Sequence, residues 1–302
     1  MLHSETQSEK DSLPLSHAET DALLQKVEEQ IALNTFDTSD NELLKVMVES
    51  LGDTRGMVRL GFAEALGKVG KPATPFLIEA LANHQNPVVR RASAKTLTLI
   101  ADPSSIPNLI HALLNDEDTV VKGSSVGALA KMGGAAVPVL LEILASPETP
   151  ESTKGHIAWA LAFIGVEAKE QLYGAISSEL SEVRSAIVGA ISSIAEQEPE
   201  ERAFQLLIKS LNDPASSVRS EAASALGKLA YQPAIPNLVE LLTHIEAESR
   251  KAAALALMKI GDRSALAPLQ NALTKESEEG VHKAIKLAIS LIEKKSEEDD
   301  WD

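Results

Sequence analysis

A basic residue recurs along this chain at a nearly constant spacing, and that period constrains the fold more than any local motif. The series, called here the anchor residues, has steps of 30 to 35 residues and consists of Arg59, Arg90, Lys122, Lys154, Arg184, Arg219, Arg250 and His282. A period of about 20 to 50 residues is typical of a solenoid, in which each unit stacks on its neighbours. The chain is therefore predicted to be a repeat protein.

Each anchor residue is predicted to open the second helix of a helical hairpin. After Lys154, for example, the apolar residues Ile157, Leu161 and Ile164 fall on one helical face, and Gly165 follows as a helix stop. Segments before the anchors, such as AIPNLVELLTHI, have helical spacing with proline near the start. Strand alternation and Asn-Gly or Asp-Gly turns are lacking. We therefore expect an all-α fold, a right-handed α-solenoid of about eight hairpins.

The ends of the chain differ from the repeats. Residues 1–17 are polar and predicted to be mobile, and residues 18–33 should form a helix that caps the first repeat. The repeats themselves are assigned to residues 34–293. Residues 294–302 form an acidic tail with Trp301, which is either a solvated tail or a peptide that a partner binds by its aromatic side chain.

Acidic residues precede most anchors by six positions. Acid in the turn of a hairpin and base at the start of its second helix can form a ladder along the stack, in which each rung satisfies turn backbone groups or a neighbour's charge. The ladder residues are Asp53, Arg59, Arg90, Asp116, Lys122, Lys154, Arg184, Asp213, Arg219 and Arg250. Because the pattern repeats in nearly every unit, it indicates architecture rather than an array of acid-base catalysts.

Composition excludes several classes of function. A net charge of -16 repels phosphate backbones and anionic lipid surfaces, so neither nucleic acid nor a membrane is expected as a partner. No apolar run, signal peptide or transit peptide is visible, which predicts a cytoplasmic protein. With no cysteine, the chain has no thiolate nucleophile and no thiolate ligands for a metal or cluster. Its seven histidines lack metal-ligand spacing, and no nucleotide-binding or hydrolase motif occurs, so neither a metal site nor catalytic residues are predicted.

Variation between equivalent positions of the repeats points to one candidate site. Three positions of each second helix face away from its apolar stripe and should line the concave surface of a solenoid. In the fourth repeat alone they carry His156, Trp159 and Phe163, an aromatic row that favours binding of a partner or ligand. The flanking repeats are expected to add small or hydroxyl side chains around it, namely Ser124, Gly127, Gly189 and Ser193. The sequence leaves open whether Trp159 is exposed in the groove or folded between repeats.

The repeats resemble those of a known family. The hairpin period of about 31 residues, the Asp in the turn and the helix endings AEALGKVG, SALGKLA and LALMKIG are similar to HEAT repeats. More narrowly, they resemble the short HEAT-like repeats of the phycobilisome lyase family of cyanobacteria. That resemblance implies one of two roles. Members of the family attach, isomerise or help detach linear tetrapyrroles on phycobiliproteins, often as pairs of HEAT-repeat chains, and a related protein partners an iron-sulfur carrier.

Two functions are therefore carried forward. The leading hypothesis is a scaffold or assembly factor that binds a protein partner in its groove: a phycobiliprotein, a second HEAT-repeat chain or an iron-sulfur carrier. The alternative is a subunit of a phycobilin lyase or isomerase, with Trp159 and Phe163 stacking on the tetrapyrrole and His156 near a propionate or a ring nitrogen. The chain is expected to hold no cofactor of its own. A phycobilin would be a ligand, and an iron-sulfur cluster would belong to a partner.

Overall fold

The computed structural model describes residues 15–299, with the side chains of residues 15–295. All regular structure within this range is helical. Most of the segment predicted to be mobile, residues 1–17, lies outside this range. Trp301 also lies outside it. The helices form successive hairpins, and the chain is an all-α solenoid. None of the described helices combines the length and apolar content that a membrane span requires.

The hairpins follow the period of the anchor residues closely. Eight second helices are present in the described range, and in each one the anchor is the fourth residue, as Lys154 is in the helix Glu151–Ile164 and His282 in Glu279–Asp299. The fourth residue has completed one helical turn, so its side chain points back over the turn that precedes the helix. This position explains why a basic residue marks every repeat.

The chain divides into two compact units, residues 1–128 and 129–302. The first unit contains the helices α1 (His17–Ala32), α2 (Asn41–Glu49), α3 (Gly56–Val69), α4 (Thr74–Asn83), α5 (Pro87–Ile100), α6 (Ile106–Asn115) and most of α7 (Thr119–Lys131). Its core consists of the facing apolar stripes of these helices, with Phe62 and Leu97 among the residues that are fully buried.

Helix α1 begins at a capping box, in which the Ser16 hydroxyl accepts from the backbone N–H of Glu19 and the Glu19 carboxylate accepts from that of Ser16. It packs against α3. The Leu24 side chain of α1 lies close to Gly61 of α3, where an added Cβ would come within 2.8 Å of it. The helix expected at residues 18–33 therefore covers the first hairpin.

The second unit contains ten helices that begin within it. They are α8 (Val137–Ala145), α9 (Glu151–Ile164), α10 (Lys169–Ala175), α11 (Ser181–Gln197), α12 (Glu201–Ser210), α13 (Ser216–Lys228), α14 (Ile235–Leu241), α15 (Ala247–Ile260), α16 (Leu266–Leu273) and α17 (Glu279–Asp299). Successive second helices pack on each other, α9 on α11, α11 on α13, α13 on α15 and α15 on α17. Helices α9 and α15 end at Gly165 and Gly261, whose positive φ angles of 46° and 72° favour glycine.

Arginine anchors connect one hairpin to the next. In the second unit, the Nη1 of Arg184 donates to the carbonyls of Ser178 and Glu179 in its own turn, both at 2.9 Å. Its Nε and Nη2 donate to the carboxylate of Asp213 in the next turn, at 2.7 and 2.8 Å. Arg250 repeats this arrangement with the carbonyl of His244 and the carboxylate of Glu276. Each guanidinium thus satisfies turn carbonyls and a carboxylate one repeat away.

The same arrangement occurs in the first unit. Arg90 donates to the carbonyl of His84 and, at 2.8 and 3.0 Å, to both carboxylate oxygens of Asp116. Arg59 donates to the carbonyl of Asp53, whose carboxylate pairs with Arg55 at 2.9 Å. Arg55 also reaches Asp21 on α1 at 2.8 Å. The ladder therefore begins at the capping helix.

Lysine anchors make more local contacts. Lys122 donates to the carbonyl of Leu114 within its own hairpin, and Lys154 pairs with Glu151 on the same helix, both at 3.1 Å. An ammonium group lacks the planar fork by which a guanidinium holds a carboxylate and two carbonyls together.

Replacing Arg184 by alanine should destabilise the protein by about 3 kcal/mol. The pair with Asp213 is largely buried, with side chains 13% and 11% exposed, so the substitution leaves a desolvated carboxylate without its partner. Urea unfolding followed by circular dichroism measures the effect. The matched control is Lys228→Ala, since the pair of Lys228 with Glu196 is 55% and 54% exposed and should contribute below about 1 kcal/mol. Equal losses in the two variants would contradict a structural role for the ladder.

The ladder should also make stability depend on pH. Hydrogen bonds from Arg250 lower the pKa of Glu276 from an ordinary 4.5 to about 2. A group with a lowered pKa stabilises the folded state above its unfolded pKa, and this stabilisation is lost as pH falls from about 4.5 to about 2. We expect Glu276→Gln to lower stability at pH 7 and to make the decline between these two pH values shallower. An unchanged slope in urea melts across that range would contradict this.

Candidate functional site

A groove of about 570 Å³ lies on the second helices of the second unit. It is formed by α9, α11 and α13, which pack side by side. Its lining combines one aromatic residue with small and charged side chains: Leu144, Glu151, Lys154, Gly155, Ala158, Trp159, Ala162, Glu182, Ser185, Ala186, Gly189, Ser217 and Glu221.

Trp159 is exposed in this groove. Its side chain is 52% exposed, and that of Phe163, one helical turn further along α9, is 48% exposed. The two rings are tilted at 31° with centroids 5.4 Å apart, and the ammonium group of Lys131 lies 4.9 Å from the Phe163 centroid. Ile157, Leu161 and Ile164 are buried on the opposite face of α9. The helix therefore packs into the core without using Trp159 or Phe163. Two adjacent exposed aromatic rings are typical of a binding surface.

Small residues form the floor beside Trp159. Ala158 and Ala162 lie on α9, and Ala186 and Gly189 lie on the facing α11. Gly189 leaves room for a Cβ, since one built on it would lie 3.4 Å from Oε1 of Glu221, an ordinary contact distance. The carboxylate of Glu221 therefore extends from α13 back over α11.

The groove carries charged groups near the starts of α9 and α11 and in the middle of α13. Glu151, Glu182 and Glu221 supply three carboxylates, and Lys154 supplies an ammonium group. Hydrogen bonds from its own backbone amide and from the Ser181 hydroxyl lower the pKa of Glu182, and the charge of Lys154 adds to this effect. Glu221 behaves in the opposite way. Its side chain touches solvent but is crowded by the groove walls, and the loss of hydration raises its pKa.

The predicted site residues are only partly brought together. Trp159 and Gly189 line the groove, and His156 is exposed one turn before Trp159 on α9. Ser193 is half-buried on α11, one turn beyond Gly189. Ser124 and Gly127 lie on α7 in the first unit. Of the ladder residues, Lys154 alone lines the groove. Arg219 on α13 donates to the carbonyls of Asp213 and Pro214. It also donates to the Ser249 hydroxyl and pairs with Glu246 of the next turn.

The charged members of the site were missed by sequence reasoning. Glu221 lines the groove and Lys131 contacts Phe163 beside it, but lysine and glutamate at exposed helix positions carry no signal of their own. Their relevance depends on which neighbouring helix each side chain reaches. Among the side chains of residues 15–295, no three histidine, aspartate or glutamate groups are placed to hold a metal ion.

Two glycines on neighbouring second helices should respond oppositely to alanine. Gly189 lies inside α11 with room for a Cβ, so Gly189→Ala should stabilise the protein by about 0.5 to 1 kcal/mol through helix propensity. At Gly227 on α13 a Cβ would lie 2.9 Å from the Cα of Ala256, so Gly227→Ala should destabilise by about 1 to 3 kcal/mol. Thermal and urea unfolding of both variants measure this. Destabilisation by Gly189→Ala would show that the floor of the groove is closed.

Comparison with known proteins agrees with the repeat architecture. The family described as HEAT repeats matches residues 74–162, 137–227 and 204–290. A solved structure of Kap121p superposes with a TM-score of 0.56 at 16% identity, over 94% of this chain and 38% of that one, which is a likeness of fold alone.

Two curated relatives are also similar in sequence. The bilin biosynthesis protein MpeU of Synechococcus sp. strain WH8020 is 38% identical over 278 residues, which cover 92% of this chain and 91% of that protein. The uncharacterized phycocyanin operon protein Z of Pseudanabaena tenuis is 29% identical over 121 residues, 38% of this chain and 60% of that protein. The chain therefore belongs to the HEAT-repeat family, among the proteins with phycobilisome lyase HEAT-like repeats.

Proposed function

We propose that this protein binds a linear tetrapyrrole in the Trp159 groove and acts as a subunit of a bilin lyase or isomerase that serves phycobiliproteins. The observation that carries the proposal is the exposed aromatic row beside small floor residues, in a chain similar over nearly its whole length to a bilin biosynthesis protein. The relatives support this function better than a general scaffold or an iron-sulfur role, since their names refer to bilins and to phycocyanin.

The groove suits a flat conjugated ligand. An indole face open to solvent stacks on pyrrole rings, and the alanine and glycine floor lets the ligand approach the helices closely. The groove is open along one side rather than enclosed. A bound bilin would therefore remain accessible to a second protein while it is held.

The absence of cysteine from the sequence supports transient binding. A bilin becomes permanently attached when a thiol adds to it, and this chain supplies no thiol. The acceptor thiol would belong to a phycobiliprotein, so the role requires a protein partner. The aromatic contact holds the ligand without a covalent bond and permits its transfer.

Titration with phycocyanobilin tests the proposal. We expect binding at micromolar concentrations with a changed visible spectrum and induced circular dichroism, because stacking in an asymmetric groove fixes the ligand's shape. Trp159→Ala should weaken binding by at least about tenfold, which is about 1.4 kcal/mol. The control is Ile245→Ala, which removes an apolar side chain of the same unit that is 89% exposed and lies in a turn away from the groove.

Tryptophan fluorescence adds an internal control, because the chain has two tryptophans, Trp159 and Trp301. In the Trp301→Phe variant, bound phycocyanobilin should quench the remaining emission strongly, since its rings would lie against the indole. Lack of binding by the intact protein, or equal binding by Trp159→Ala, would refute the proposed function.

A further inference from the structure

One carboxylate in the groove has no counter-charge. Among the described residues, none pairs with or donates a hydrogen bond to Glu221, whereas Glu151 pairs with Lys154 and Glu182 is hydrogen bonded to Ser181. The Oε1 atom of Glu221 lies over Gly189 in the floor of the groove. The Glu221 carboxylate faces solvent in the groove without a partner in the part of the chain that the structure describes, so its oxygens are free to accept hydrogen bonds from a ligand that carries N–H groups.

A cation lies at the other end of the aromatic row. The Nζ of Lys131 lies over the Phe163 ring at 4.9 Å, so the ammonium group is held against α9 although the residue belongs to α7. The side chain remains exposed, and its three N–H donors are available to an anion on the same face as Trp159.

These two charged groups converge on the same pair of helices. Lys131 reaches forward from α7 to α9, and Glu221 reaches back from α13 to α11. Lys131 contacts Phe163, whose ring centroid lies 5.4 Å from that of Trp159, and Glu221 lies over Gly189 in the groove that Trp159 lines. A ligand that spans them needs an N–H donor or cation in its centre, an anion on a side arm and a flat surface.

We propose that Glu221 accepts hydrogen bonds from the pyrrole N–H groups of the bound tetrapyrrole and that Lys131 forms an ion pair with one of its propionates. This inference rests on the proposed function and adds the orientation of the ligand. A linear tetrapyrrole carries ring N–H groups along its inner edge and propionates on its outer edge, so the two contacts fix which edge faces α13. Stacking on Trp159 alone would leave that choice open.

The contact with Glu221 has a spectroscopic consequence. A carboxylate beside the ring nitrogens favours the protonated, cationic tetrapyrrole, in which the long-wavelength absorption band is strong relative to the near-ultraviolet band. Lys131 has a different signature, because it should distinguish a free propionate from its ester. The two residues can therefore be tested separately.

The experiment uses the full chain with phycocyanobilin and with its dimethyl ester. Glu221→Gln should lower the ratio of the long-wavelength to the near-ultraviolet band of the bound free acid and weaken its binding by about three- to tenfold. Lys131→Gln should weaken binding of the free acid about tenfold, preserve the band ratio and change binding of the ester less than about twofold. Controls are Glu240→Gln and Lys209→Gln, exposed residues on the first helices α14 and α12.

The outcomes separate the two proposals. Failure of the intact protein to bind either ligand would refute the proposed function and this inference with it. Binding that depends on Trp159, combined with an unchanged band ratio in Glu221→Gln and an equal loss for acid and ester in Lys131→Gln, would overturn this inference alone. Circular dichroism of each free variant shows whether the helices remain folded, and recovery of the ratio in Glu221→Asp supports the carboxylate contact.

Discussion

The guanidinium group at the fourth residue of a second helix is the interaction on which the repeats depend. Arg90, Arg184 and Arg250 each hold the carbonyls of their own turn and a carboxylate of the next turn. A solenoid has no long-range contacts to fix its turns, so each turn must be secured by its neighbours. A guanidinium has five donors in a rigid plane, so it can bind the carbonyls of its own turn and the carboxylate of the next turn together. The basic residue therefore recurs once in every repeat.

The candidate site lies where this contact changes. The helix that carries Trp159 has Lys154 as its fourth residue, and the next turn has Ser178 in place of an acid. Lys154 consequently pairs with Glu151 at the mouth of the groove instead of bridging to the next turn through a guanidinium fork. In this repeat the basic side chain therefore stays within its own hairpin, and its stem and charge form part of the groove wall.

Exposure of Trp159 and Phe163 also follows from the repeat geometry. A second helix needs one apolar stripe for stacking, and α9 supplies this with Ile157, Leu161 and Ile164. The opposite stripe is free of packing requirements, so large aromatic residues there do not disturb the fold. Small residues on the facing α11 leave the indole uncovered. Small residues allow close helix packing elsewhere in the chain, and on this surface they leave a groove.

The sequence by itself determined the all-α repeat architecture, the register of the second helices and the position of Trp159 and Phe163 on a helix face away from the core. These follow from local periodicity, which a helix imposes on any sequence that forms it. Only the tertiary structure decided that Arg184 pairs with Asp213 of the next turn, that Gly189 lies under the carboxylate of Glu221, and that Lys131 reaches Phe163. Such contacts join residues of different repeats, and their existence depends on the direction and reach of long side chains rather than on spacing along the chain.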